Sequence, residues 1–362
     1  MGSKNSGNDN NRMPRAIGAI THNPDSRQDG ENVTRNPNQP RQPSNLQDLL
    51  RFSMEARSQG QSSSQVLPMD DERKKWLDNA LKYMTTDVIQ ILLQAIDLLK
   101  NAGSLTIDDD PKEYEEALET VAGCVENLDV ANDFHKIGGF TVFEPCLLSC
   151  HPSLQWKAAN VMAELTQNNP YCQERAIELN LLSILLKLLD HSRNELTRVK
   201  ALYAISCILR DNPKALSTFS QHDGFSVLLR SMQSHVEKLK TKSSFLLTSL
   251  CTQNPEIIDS LCNMGFVEQL AALVVQQQQP GFSSSGSNGG RSLEHLLSAL
   301  LTLIRDNERA QSACRRPELG LRRSLEYHLQ SIRGKDEFRE EADYCRDLLK
   351  IVFSGDVEEE ER

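Results

Sequence analysis

From residue 70 onward the apolar positions recur at helical spacing. Leu77, Ala80, Leu81 and Met84 share one face of a helix opened by Asp70. A second helix is predicted from Thr86-Asp87 through Leu99, with Gly103 placed as its left-handed stop. Asp110-Pro111-Lys112-Glu113 then supplies a capping carboxylate, a proline at the first helical position and an acid in the first turn. No alternating run of β-branched residues occurs, and no Asn-Gly turn joins two such runs. The pattern predicts an all-α body over residues 69–362.

The helical pattern repeats. Lys157–Asn169, Lys200–Asn212, Lys242–Asn254 and His295–Asn307 each read as a basic or polar opening residue, an apolar helix and an asparagine stop. In the first three the asparagine precedes Pro170, Pro213 and Pro255, which cannot continue a helix. A second marker opens a shorter helix in each unit: Gly139-Phe140, Asn180-Leu181, Gly224-Phe225 and Gly265-Phe266. The period is near 42 residues, and an insertion over about 276–291 lengthens the last interval. Helices only, at this period, are the signature of armadillo or HEAT units, which stack because one unit alone cannot bury its apolar face. The expected architecture is an armadillo-repeat solenoid of about four repeats with helical caps.

The chain begins differently. Residues 1–44 hold 7 apolar residues and 11 Asn or Gln, too little apolar surface to offset the entropy of ordering. A disordered polar tail is expected there. Met1-Gly2-Ser3-Lys4-Asn5-Ser6 fits the short N-myristoylation pattern. Ser44 to Gln47 reads as a capping box, and Leu46, Leu49, Leu50 and Met54 follow at amphipathic spacing. Residues 45–68 therefore read as a flexible segment carrying a short amphipathic island, and residues 355–362 as an acidic tail.

Charge sharpens the reading. The first 68 residues carry a net charge of +2 and the remainder −12, so the body is a poor match for phosphate backbones. No apolar run is long enough to span a membrane. Nine cysteines without a leader pattern point to a reducing compartment. Cys146, Cys150 and His151 could offer three metal ligands, but no fourth stands in register, and buried packing is the simpler expectation. No nucleophile–base pair or phosphate-cradling loop is evident, so neither enzymatic chemistry nor a cofactor is expected. Against the acidic background, one basic column stands out. The third helix of an armadillo unit lines the concave surface, so Lys157, Lys200, Lys242 and His295 should align there, joined by Arg198, Lys238 and Lys240. Such a column would steer an acidic partner surface.

Several stretches resemble one family specifically. Glu126-Asn127-Leu128-Asp129-Val130-Ala131-Asn132-Asp133-Phe134, Thr197 through Cys207 (TRVKALYAISC), Asp223-Gly224-Phe225-Ser226-Val227-Leu228, Lys238-Leu239-Lys240-Thr241-Lys242-Ser243 and Glu318-Leu319-Gly320-Leu321 look like the heat-shock-protein-70-binding family of cytosolic armadillo-type nucleotide exchange factors, the Fes-like group. The similarity runs from about Asn45 to Phe353.

The resemblance implies a co-chaperone. Its concave face would embrace the nucleotide-binding domain of a 70-kDa heat-shock chaperone and promote release of ADP and then of client. Family interface positions fall on Ala131 with its neighbour Asn132, and on Lys242. A family motif that competes with clients for the chaperone's peptide groove is similar to Leu49, Leu50, Arg51, Phe52, Ser53 and Met54. A monomer in the cytoplasm, with nuclear access possible, is implied. The alternative is a scaffold that holds a peptide or a ubiquitin-system partner in the same groove. Such grooves rely on ladders of asparagine and tryptophan, and only Trp156 stands near that face here.

Overall fold

The computed structural model describes residues 88–278 and 289–354. The expected tail over 1–44, the segment over 45–68 with its leucine island, the helix opened by Asp70 and the acidic residues 355–362 lie outside the described residues. Among the described residues every regular element is a helix and none is a strand.

Four three-helix units follow one another. The first holds α3 (Leu128–Lys136), α4 (Phe143–Leu147) and α5 (Pro152–Thr166). The second holds α6 (Pro170–Glu178), α7 (Leu181–His191) and α8 (Glu195–Leu209). The third holds α9 (Pro213–Gln221), α10 (Gly224–Met232) and α11 (Glu237–Gln253). The fourth holds α12 (Ile258–Asn263), α13 (Phe266–Gln277) and α14 (Gly289–Ile304). Before them, α1 (Val88–Leu99) and α2 (Lys112–Cys124) occupy the places of a second and a third helix. After them, α15 (Glu308–Cys314), α16 (Leu321–Ser331) and α17 (Arg339–Phe353) repeat the three-helix plan once more. The third helices pack in series, α2 on α5, α5 on α8, α8 on α11, α11 on α14 and α14 on α17.

The unit boundaries have a local cause. Asn169, Asn212 and Asn307 do not simply end a third helix; each caps the first helix of the next unit. Their side-chain oxygens accept from the backbone N–H of Cys172, Ala215 and Ala310. Pro170 and Pro213 then occupy the first helical position, where a missing N–H costs nothing. Asn254 departs from the rule: its amide donates back to the Leu250 carbonyl, and a short 3-10 turn opens the fourth unit.

The second marker needs a correction in register. The residue between first and second helix is left-handed in every unit: Gly138, Asn180, Asp223, Gly265 and Gly320. The first four stand 42, 43 and 42 residues apart. Asn180 and Gly265 hold this position themselves, whereas Gly139 and Gly224 lie one residue beyond it and are glycines for another reason. A Cβ on Gly139 would fall 2.5 Å from the Phe134 ring, and one on Gly224 would fall 2.4 Å from Phe219. The second unit reverses the sizes, with Ala176 and Leu181 in these two positions, while the fourth holds Leu261 and Phe266, all buried. Volume is shared between the position four before the left-handed residue and the one after it. Gly103 is likewise not a left-handed stop; it lies in a 3-10 turn against Pro145. The insertion is also shorter than its sequence suggests, because α13 runs through Gln277 and α14 begins at Gly289.

Ion pairs tie neighbouring units. Arg230 on α10 donates through Nε and Nη2 to both carboxylate oxygens of Asp190 on α7, at 2.8 and 2.7 Å. Those hydrogen bonds hold the Asp190 carboxyl below its ordinary range.

Gly224→Leu alone should destabilise the fold by about 1–3 kcal/mol through overpacking against Phe219. The double change Gly224→Leu with Phe219→Ala adopts the second unit's solution and should recover most of that loss, read by thermal denaturation.

Candidate functional site: the row of third helices

Each third helix is covered on both sides by its neighbours, so the solvent reaches only one strip. On α5 the strip runs through Ser153, Trp156, Lys157, Asn160 and Glu164, all partly open and at spacings of three and four. On α8 they continue with Val199, Lys200, Tyr203 and Ser206; on α11 with Lys238, Thr241, Lys242, Phe245 and Ser249; on α14 with Glu294, His295, Ser298 and Thr302. The strips lie side by side and form the inner face of the solenoid.

The expected basic column is present in position but not in charge. The Lys157 ammonium donates to Glu115 at 2.9 Å and Glu119 at 2.6 Å, both on α2. Burial pulls its pKa down, but the two carboxylates more than compensate, and the net shift is upward. Glu115 in turn titrates below its ordinary value, held there first by a hydrogen bond from Ser153 and then by Lys157. Lys200 donates to the Asn160 side chain at 2.6 Å and lies near the Tyr203 ring. Lys240 is buried and paired with Glu237 at 3.0 Å. Arg198 turns away from the strip: its Nε donates to the Leu189 carbonyl at 2.8 Å, joining α8 to the end of α7. Lys157, Lys240 and Arg198 are therefore structural ties, not free cations. Lys238 and Lys242 are exposed, and His295 is half-buried with its ring edge-on to Phe245.

Ala131 and Asn132 are the larger correction. They lie on α3, in the row of first helices and not in the third-helix row. Ala131 is only 2% exposed, and its carbonyl accepts from the Cys172 thiol of the next unit. The Asn132 side chain accepts from the Asn169 amide at 3.1 Å. Both positions hold the first unit against the second.

A cleft of about 340 Å³ opens between α8 and α11, where the third helices pack least closely. Leu202, Tyr203 and Arg210 line one wall; Lys242, Phe245 and Gln253 line the other, with His295 beyond. Arg210 and Lys242 are exposed and make no ion pair among the described residues. Tyr203, Arg210 and Phe245 were not legible as site residues from charge alone. The signal lies three residues past the lysine column, where Asn160, Tyr203, Phe245 and Ser298 occupy one register.

Burial holds five of the nine thiols protonated. Burial pushes Cys146, Cys172, Cys251, Cys314 and Cys345 up to about 12. Cys146, Cys150 and His151 each turn to a different backbone carbonyl, those of Leu99, Leu105 and Thr106, which holds the α1–α2 connection against α4 and α5.

Stacked three-helix units with one continuous inner strip define an armadillo-type binding solenoid. Solved structures agree on the fold: a designed armadillo repeat protein superposes with a TM-score of 0.53 at 18% identity, covering 72% of this chain and 99% of its own. Two family models match, the nucleotide exchange factor Fes1 over residues 46–134 and the SIL1/FES1/HPBP1 C-terminal domain over residues 130–238. Hsp70-binding protein 1 of Mus musculus is 37% identical over 331 residues, covering 88% of this chain and 89% of that protein. The Homo sapiens protein of the same name is 36% identical over 328 residues, with 88% of each chain covered. The Hsp70 nucleotide exchange factor FES1 of Yarrowia lipolytica is 30% identical over 178 residues, 48% of this chain and 60% of its own. This chain belongs to the Hsp70-binding protein 1 and Fes1 family.

Two outcomes follow from the burial. Ala131→Arg should lower the thermal midpoint sharply, because a guanidinium enters a filled space, whereas Lys242→Glu should leave stability within about 0.5 kcal/mol of the parent. Stability should also fall on acidification. Glu115 and Asp190 titrate below their ordinary values of 4.5 and 3.8 when folded. Their contribution is complete above those values and is lost as pH falls through the lower folded ones. The thermal midpoint should hold from neutral pH to about 5 and decline below about 4, less steeply in Asp190→Asn.

Proposed function

We propose that this protein is a co-chaperone, a nucleotide exchange factor that grips the nucleotide-binding domain of a 70-kDa heat-shock chaperone with the third-helix row. The observation that carries the reading is the match to Hsp70-binding protein 1 over 88% of the chain, which extends through all four repeats. The site supports it. A rigid row of helices, open on one strip and positive near α8 and α11, suits a large folded partner with an acidic surface.

The action needs no catalytic group. A two-lobed nucleotide-binding domain closes around ADP, and a partner that fits only the open arrangement shifts the balance towards it. The shift is limited by the difference in affinity for the two forms, and a change from 1% to 99% open takes about 10⁴-fold. ADP then leaves, ATP enters, and client is released. No bond is made or broken by this chain. Leu49, Leu50, Arg51, Phe52, Ser53 and Met54, which lie outside the described residues, would compete with client for the chaperone's peptide groove. A monomer acting in the cytoplasm, with possible access to the nucleus, fits this role.

Release of a fluorescent ADP derivative from the purified chaperone tests the proposal. The full chain should accelerate release in proportion to its concentration. Lys242 is exposed, so Lys242→Glu should act as a rim charge does, slowing association several-fold at low salt and less at high salt. No acceleration by the unaltered chain would exclude the exchange-factor reading.

A further inference from the structure

We propose that Phe245 is the anchor of the chaperone contact, seating against an apolar side chain of the nucleotide-binding domain that stands beside a carboxylate. This rests on the exchange-factor reading and adds the chemistry of the partner patch.

The first argument is exposure. Phe245 is 61% exposed, and it is the one exposed phenylalanine among the described residues. Phe134, Phe143, Phe219 and Phe266, by contrast, are packed in the core. A single exposed ring is ordinary on a protein surface, so Phe245 counts here because it stands at a cleft with a second aromatic ring beside it. In the same register Asn160 and Ser298 are polar, as an ordinary solvated strip requires, while Tyr203 and Phe245 put two aromatic rings on adjacent helices at the cleft.

The second argument is rigidity. Phe245 lies in the middle of the 17-residue α11, whose opposite faces are buried through Leu246, Leu247 and Leu250. The His295 ring from α14 stands edge-on to Phe245, with centroids 6.2 Å apart and planes at 76°. The backbone is fixed and one flank of the ring is already held, so little freedom remains to be lost on binding. Large aromatic side chains at the centre of an interface dominate binding energy in this way.

The third argument is charge. Lys242 stands one turn before Phe245, and Arg210 lies across the cleft. Neither is held in an ion pair by a carboxylate among the described residues, in contrast to Lys157 and Lys240. An aromatic ring flanked by two such cations selects an apolar side chain with an acidic neighbour, and disfavours a basic one.

Calorimetric titration of the full chain with the chaperone's nucleotide-binding domain tests the anchor. Phe245→Ala should weaken binding about thirtyfold or more, the range of an interface hot spot. Phe245→Leu should lose less, and the thermal midpoint of both should match the parent. Leu179→Ala removes a comparably exposed apolar side chain from the opposite row and should bind as the parent does. Binding by Phe245→Ala within twofold of the parent would overturn the proposal, as would an equal loss in Leu179→Ala. The proposal also fails if Phe245→Ala instead dissolves a dimer of the free chain in sedimentation, since Phe245 would then pair two copies. A parent chain that binds no nucleotide-binding domain would overturn the exchange-factor reading itself, and that result is distinct from a parent that binds with Phe245 silent.

Discussion

Each third helix from α5 to α14 is packed between two others, and that confinement determines what the row can present to a partner. A helix covered on both flanks must be apolar nearly all round, and α8 is: Ala201, Leu202, Ala204, Ile205, Cys207, Ile208 and Leu209 are all buried. Solvent reaches only positions three and four residues apart on the remaining strip. Each buried leucine or isoleucine contributes about 1.5–3 kcal/mol relative to exposure, and the contribution requires the neighbouring unit to be present. The backbone of the inner strip is therefore rigid without any dedicated scaffold, because moving it means unstacking a repeat.

The fold was legible in the sequence because its punctuation is local. An asparagine followed by proline marks the joint between units, and it does so by satisfying an orphan N–H of the next helix. The left-handed residue between first and second helix recurs with the same period. The apolar periodicity alone indicates helices, and the punctuation groups them in threes. What the sequence left ambiguous was whether a glycine served conformation or space, since Gly265 and Gly224 look alike in a string of letters. Only the position of Phe219 separates them.

The site was half legible, for a physical reason. Register places a side chain on the strip but does not name its partner, and the partners come from one repeat away. Lys157 meets Glu115 and Glu119 across a gap of about one period, and Lys200 meets Asn160 in the same way. Part of the lysine column thus becomes inter-unit ties, while Arg210, Lys238 and Lys242 at α8 and α11 make no ion pair among the described residues. Ala131 shows the converse. A small residue at a position the family uses reads as a flush contact surface, but here its size is set by the Cys172 thiol and the next unit's first helix. Aromatic side chains carried the missing information, because Tyr203 and Phe245 replace polar residues in a register that is otherwise solvated.

A row that is rigid, narrow and locally positive acts by fitting one conformation of its partner better than another. The most direct test of that account is amide hydrogen exchange on the full chain, read by mass spectrometry with and without the chaperone's nucleotide-binding domain. Binding through the inner strip predicts slowed exchange in residues 199–210, 238–253 and 294–302, with the first and second helices of the same units unchanged. Protection centred instead on 170–190 and 213–232, with the third helices unaffected, would place the partner on the opposite face and contradict the account.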